Sequence, residues 1–393
     1  MGNPLEALQL HGQSVWLDYI RRDLITSGEL QRLIDDGVRG VTSNPAIFEK
    51  AIAGSADYND VLAAANARNA DAKTVYESIA VRDIQDAADV LLPVYERTAK
   101  RDGYVSLEVS PKLARDASGT IEEGRRLWKA VARANLMIKV PATPEGIVAI
   151  RQLISEAVNV NVTLLFSQEA YAQVVEAYLA GLEDRAANGA SLEGIASVAS
   201  FFISRIDSVV DARIKERDLS RALLGKVAIA NARLTYQRYR ELFGGPRWDS
   251  LAQRGAQTQR VLWASTGTKD PAYRDVLYVE ELIGPDTVNT MPPATLAAFR
   301  DHGVARASLV EDLEGAAETL LQLEKEGIAI REVTDLLLEQ GVQLFSDAFD
   351  KLLAAVRQRT GTVLSGMVDL ETSEPATADL ATGRQESSVR RSP

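Results

Sequence analysis

Lys139 stands in the middle of an apolar run, Leu136-Met137-Ile138-Lys139-Val140. Burial disfavours the charged ammonium form. A neutral amine is the nucleophile that condenses with a ketone to a Schiff base. Two acids sit inside comparable runs: Asp18 in Val15-Trp16-Leu17-Asp18-Tyr19 and Glu108 in Val105-Ser106-Leu107-Glu108-Val109-Ser110. One acid beside such an amine can shuttle protons as the carbinolamine forms and dehydrates. Another can take the hydroxyl proton that must leave when a carbon–carbon bond breaks. Two plainer readings stand beside this one. Lys139 could be a structural partner of Asp18 or Glu108, and either acid could be a satisfied polar core residue.

Other chemistries lack their residues. Among 393 residues there is no cysteine, which removes disulfides, thiolate metal sites and cysteine nucleophiles. Only His11 and His302 are histidines, so a Ser-His-Asp triad or a histidine-rich metal site has almost nothing to draw on. Lys plus Arg number 44 against 55 Asp plus Glu, a net charge of −11. That balance argues against nucleic acid as a partner, which requires a concentrated basic surface, yet permits a small local phosphate site. No apolar run approaches the roughly 18 residues of a membrane span. The first residues lack the features of a signal peptide or a myristoylation site, so the expected location is the cytoplasm and no membrane partner is expected. Composition sets no oligomeric state.

The elements that must position these residues are short apolar strands alternating with long amphipathic helices. Expected strands are Ser14–Ile20, Gly40–Asn44, Tyr104–Ser110, Leu136–Ala142, Asn159–Phe166, Ser197–Phe202, Arg260–Thr266 and Asp286–Thr290. Helix starts are read at Thr26-Ser27-Gly28-Glu29, at Ser118–Glu123 and at Thr143-Pro144, where Pro144 suits a first helical position. Strands separated by helices form parallel βα units, and eight of them are what a closed (β/α)8 TIM barrel requires. No G-x-G-x-x-G follows a strand, so an open dinucleotide-binding sheet lacks its fingerprint. Residues 45–103, with a helix near Asn69–Ala99, 203–255 and 305–361 are read as helical additions to one barrel domain spanning 1–365. From about Gly366 to Pro393 the composition is too polar to pack, and a disordered tail is expected.

Strands covered on both faces normally read as near-continuous apolar runs. Here Val105–Ser110 and Val158-Asn159-Val160-Asn161-Val162-Thr163-Leu164 alternate polar with apolar residues, which places each polar set on one face. An antiparallel sheet with one wet face would do the same. With helices between the strands, the favoured reading is convergence toward the C-terminal mouth of a barrel, where such enzymes keep their sites.

These segments together resemble transaldolase. Gly40-Val41-Thr42-Ser43-Asn44-Pro45 is similar to the family's second-strand signature, and Ile138-Lys139-Val140-Pro141-Ala142-Thr143 to its Schiff-base segment. Asn161-Val162-Thr163-Leu164-Leu165-Phe166-Ser167 resembles the fifth strand, and Ser200-Phe201-Phe202-Ile203-Ser204-Arg205-Ile206 the sixth. The resemblance runs from about residue 12 to 361. It is nearest to the longer bacterial transaldolases, close to this chain's 393 residues, and to the front part of transaldolase–phosphoglucose isomerase fusions, without the isomerase.

The resemblance implies transfer of a dihydroxyacetone unit in the non-oxidative pentose phosphate pathway, with no metal and no cofactor. The donor would be sedoheptulose 7-phosphate or fructose 6-phosphate, and the acceptor erythrose 4-phosphate or glyceraldehyde 3-phosphate. Lys139 would form the imine, Glu108 would act through a water held by Thr163, and Asp18 would take the C4 hydroxyl proton. Asn44 and Asn161 would hold the hydroxyls of the bound unit. Arg205 and Ser265 would hold the phosphate, with Ser200 lining the site. The family's arginine shortly after that serine is replaced here in Ala264-Ser265-Thr266-Gly267-Thr268-Lys269-Asp270, where Lys269 is the candidate substitute. Two other functions share these residues in part: a class I aldolase that releases its dihydroxyacetone unit, and a non-catalytic sugar-phosphate-binding barrel that would keep Arg205 without needing Lys139 beside two acids.

Overall fold

The computed structural model describes the backbone of residues 3–68 and 70–371, and their side chains except at 66 and 362–371. Eight parallel strands close into a barrel in sequence order: β1 Gln13–Leu17, β2 Val38–Val41, β3 Tyr104–Glu108, β4 Leu136–Pro141, β5 Val160–Leu165, β6 Ser197–Phe202, β7 Arg260–Ala264 and β8 Thr287–Met291. Pairing of β1 with β8 completes the ring. All eight expected strands form, and all but Arg39 of their residues are buried, as a sheet covered on both faces demands.

Expected boundaries shift: β2 forms at Val38–Val41 in place of Gly40–Asn44, and other strands differ at their C-terminal ends. β1 stops at Leu17, where its register against β2 and β8 ends, so Asp18 lies one residue beyond the strand. β3 stops at Glu108, paired with Lys139. Both acids therefore sit at strand ends instead of mid-strand, which brings them closer to the mouth.

The helices follow local chemistry. Thr143 caps the helix Pro144–Ser155 by accepting from Gly146 N at 3.0 Å, with Pro144 at its first position as expected. The helix expected to open at Ser118 instead begins at Ala117, because the Asp116 carboxylate accepts from Gly119 N. The start read at Thr26-Ser27-Gly28-Glu29 is where the helix Glu29–Asp35 opens, directly after Gly28, whose φ of 73° suits glycine, and a short helix Arg22–Thr26 precedes it. The added segments are helical as read. Residues 45–103 carry Pro45–Gly54, Asn59–Ala67 and Ala72–Arg97, the last capped by Asp71. Residues 203–255 carry Ser204–Glu216, Val227–Leu242 and Pro246–Ala252, and the chain's final described element is the long helix Ile330–Glu371. That helix carries the backbone to Glu371, past Gly366, where the sequence places the start of a disordered tail. Residues 372–393 lie outside the described residues.

The base of the barrel is closed by polar groups. Arg260 bonds Asp102 at 2.9 Å and Ser14 Oγ at 2.8 Å, while Trp16 Nε1 donates to Asp102 at 3.1 Å. All are buried. A buried charge pair needs such additional partners to offset its lost hydration.

Candidate active site

At the opposite, C-terminal end lies a cavity of about 200 Å³. Asp18 follows β1, Thr42 and Asn44 follow β2, Lys139 comes from β4, Thr163 from β5, Ser200 and Phe202 from β6, Ser265 follows β7 and Thr290 comes from β8; all line it. Arg205, Gly267 and Lys269 complete the rim, and Phe345 arrives from the final helix.

Lys139, 5% exposed, donates from Nζ to the Ser43 carbonyl at 3.1 Å and lies 3.8 Å from Glu108 Oε2. The ion pair considered from the sequence is thus present at long range, while the amine also faces the cavity. Register puts Glu108, Lys139 and Asn161 in one row across β3, β4 and β5. Burial pushes the Glu108 carboxyl up to about 7, with the Asp18 charge adding to the rise and Lys139 opposing it. Glu108 therefore exchanges its proton near neutral pH, as a general acid–base group must. Glu108 Oε2 and Thr163 Oγ1 are both buried without a hydrogen-bond partner among the described residues.

Asp18 is half-buried and accepts from Thr42 Oγ1 at 2.7 Å. Burial raises its carboxyl above the ordinary value, against the pull of Lys139, the Thr42 hydrogen bond and Lys269. Thr42 in turn shares a 2.7 Å contact with Thr290 Oγ1, which fixes its hydroxyl. Asn44 caps the helix Pro45–Gly54, its Oδ1 accepting from Ile47 N at 3.0 Å. That bond directs its Nδ2 away from the helix. Asn161 sits beneath the cavity, donating to Ser106 Oγ at 3.0 Å and accepting from Ser200 Oγ at 2.6 Å. It is fully buried and does not line the cavity, so its contact with a bound molecule would run through its remaining valences or through Ser200.

Across the cavity, Arg205 is the second residue of the helix Ser204–Glu216. Its guanidinium lies 5.6 Å from the Phe202 ring centroid and makes no hydrogen bond or ion pair among the described residues. Burial lowers it from the ordinary guanidinium value, yet so basic a group stays charged. An unpaired, partly buried guanidinium at a helix N-terminus suits a phosphate. Ser265, at φ 56°, holds its hydroxyl 2.9 Å from Ser204 Oγ. A left-handed serine is a mildly strained conformation of the kind that accumulates at ligand sites. Lys269 is exposed at the rim with no hydrogen bond or ion pair among the described residues.

The cavity thus gathers every expected site residue except Glu108 and Asn161, which buttress it from below. Sequence reasoning missed Thr42, Thr290, Phe202 and Phe345 as lining residues. Thr42 and Phe202 lay inside quoted motifs; Phe345 had no local signal, because a phenylalanine on an amphipathic helix reads as core. Among the described residues no group of three or more His, Asp or Glu converges as a metal site would need, and no helix is long and apolar enough to cross a membrane.

The sequence profile of the Transaldolase/Fructose-6-phosphate aldolase family matches residues 15–356. A transaldolase of Trichodesmium erythraeum is 46% identical over 370 residues, covering 91% of this chain and 97% of that protein. One from Thiobacillus denitrificans is 49% identical over 348 residues, covering 88% and 97%. Another from Neisseria gonorrhoeae is 49% identical over 343 residues, covering 87% and 96%. With the barrel, the buried lysine and the long alignments in agreement, the chain belongs to the transaldolase/fructose-6-phosphate aldolase family.

Proposed function

We propose that the chain is a transaldolase, moving a dihydroxyacetone unit between sugar phosphates through an imine on Lys139 in the cytoplasm, with residues 1–365 acting as one domain. The observation that carries this reading is the geometry of one amine. Lys139 Nζ borders the cavity, 3.8 Å from an acid that exchanges protons near pH 7, with Asp18 and the unpaired Arg205 lining the same space.

Arg205, Ser265 and Lys269 seat the phosphate, which sets the distance of the ketone from the lysine. The amine attacks the ketone carbon, and Glu108, relayed through a water on Thr163 Oγ1, donates the proton with which the carbinolamine loses water. Asp18 takes the C4 hydroxyl proton, the C3–C4 bond breaks, and the aldose phosphate leaves an enamine on Lys139. Asn44 and Ser200, the latter backed by Asn161, hold the hydroxyls of the bound unit. An incoming aldehyde forms a new bond at the enamine carbon while Asp18 returns its proton to the aldehyde oxygen. Water then releases the product ketose.

A coupled assay for glyceraldehyde 3-phosphate tests this. Fructose 6-phosphate alone should give little free dihydroxyacetone, and adding erythrose 4-phosphate should start rapid turnover. Release without acceptor as fast as transfer would replace this reading with a fructose 6-phosphate aldolase. No reaction of either kind would favour a binding barrel.

A further inference from the structure

The C-terminal helix Ile330–Glu371 lies across the barrel mouth. It packs on the helix Pro45–Gly54 that follows β2, on the turn Pro111–Leu113 that follows β3, on β5, and on the helix Ser204–Glu216 that follows β6. Three residues at one-turn spacing make the face it turns to the site. Gly341 rests on Leu164: a Cβ there would come within 2.8 Å of Leu164 Cδ2, and Leu164 is the left-handed residue directly after Thr163. Phe345 places its ring centroid 5.8 Å from Lys139 Nζ and lines the cavity. Phe349 packs edge-on against Tyr76 at 5.8 Å, and both border a small void beside Glu108.

This face therefore tracks β5, β4 and β3 in turn, over Thr163, Lys139 and Glu108. Anchors flank it. Lys112 bonds Asp350 at 2.6 Å, Arg115 pairs with Glu339, and Arg359 donates to the carbonyls of Ile52 and Ser55 at 2.5 and 3.0 Å.

Imine formation does not require a ring above the lysine. An aromatic face near a cationic nitrogen is favourable, and once the imine is protonated the Lys139 nitrogen carries the charge of the iminium. A ring there also denies space to water on the mouth side. We propose that Phe345 is a specificity-determining residue: by covering Lys139 it keeps solvent from the enamine carbon, so the three-carbon unit passes to an aldehyde instead of being released. This deepens the transaldolase reading above and rests on it.

Both routes end in hydrolysis of an imine, with water working from the Glu108 and Thr163 side. They differ one step earlier. In release, the enamine carbon takes a proton from water, and hydrolysis then frees dihydroxyacetone and the Lys139 amine. In transfer, that carbon bonds to the aldehyde carbon, and Asp18 supplies the proton to the aldehyde oxygen. Shielding the carbon from solvent slows only the first.

The test compares acceptor-free release of dihydroxyacetone from fructose 6-phosphate with transfer to erythrose 4-phosphate. Phe345→Ala should raise the release-to-transfer ratio by roughly tenfold, the rate effect of one small barrier change. Phe345→Val, a smaller opening in the same apolar setting, should raise it by less, and Phe345→Leu should stay near the unsubstituted protein. Leu344→Ala, at a neighbour that is 50% exposed and outside the cavity, should leave it unchanged. If Phe345→Ala and Phe345→Val transfer normally with an unchanged ratio, the covering role is wrong while the transaldolase reading stands. If the unsubstituted protein shows no transfer, it is that reading which fails.

Discussion

Glu108 carries the most informative charge in the site. Burial holds its carboxyl near 7, above the ordinary 4.5. A carboxyl that is harder to ionise in the fold favours the native state at low pH. That contribution is lost as pH rises from about 4.5 through 7, because a buried anion must then be tolerated. Glu108→Gln removes the anion, so its melting temperature relative to the unsubstituted protein should climb between pH 5 and pH 8. A constant difference would mean that Glu108 does not titrate in that range. The same variant should lose a pH limb near 7 in kcat/KM and roughly 10²- to 10⁴-fold in rate. Arg205→Ala should raise KM for phosphorylated substrates far more than for glyceraldehyde. One charge-assisted contact is worth about 2 kcal/mol, or roughly thirtyfold. Equal losses on both kinds of substrate would make Arg205 structural. Lys139, Asp18 and Glu108 were legible in the sequence because a charge inside an apolar run is costly unless it is used. Phe345 was not, because a phenylalanine on a helix carries no such cost.

At the scale of elements, the helix that presents Arg205 is tied to the loop that presents Ser265 and Lys269. Asp207, Asp211 and Lys215 stand at one-turn spacing on that helix. They meet Tyr278 at 2.8 Å, Tyr273 at 2.6 Å and Asp270 at 2.8 Å respectively. Asp207, pushed up to about 7 by burial, also accepts from Ala228 N at 2.8 Å. Tyr278→Phe leaves that buried carboxyl short of a partner, which should cost about 1–3 kcal/mol in a urea melt. Since the tie sets the spacing of the two phosphate-binding segments, KM for fructose 6-phosphate should rise with it. A stability loss with KM unmoved would confine the tyrosine to folding. The eight strands were readable because β-branched runs between helix starts leave little else for the chain to do. Their ends were less so: β1 ends where pairing to β2 and β8 stops, a tertiary fact that Asp18-Tyr19-Ile20 does not reveal. Asp116, not Ser118, caps its helix because a side chain three residues ahead of Gly119 reaches the exposed N–H.

For the molecule as a whole, closure of the barrel brings residues 18, 44, 139, 163, 205 and 265 to one mouth, and the last helix crosses it. Alternating polar positions pointed to convergence on one face, but the crossing depends on contacts between segments far apart in the chain, such as Arg359 with Ile52 and Phe349 with Tyr76, beyond any local pattern. Residues 372–393 have a composition too polar to add a core. Truncation after Glu371 should leave melting temperature and transfer rate within error, and a clear fall in either would show that the segment contributes. The central claim is that one amine, that of Lys139, carries the transferred unit, and it is tested most directly by trapping. Borohydride added with fructose 6-phosphate should inactivate the protein, increase its intact mass by one reduced dihydroxyacetone unit, and place that mass on the peptide containing Lys139. Label on another lysine, with Lys139→Ala still transferring, would contradict the account.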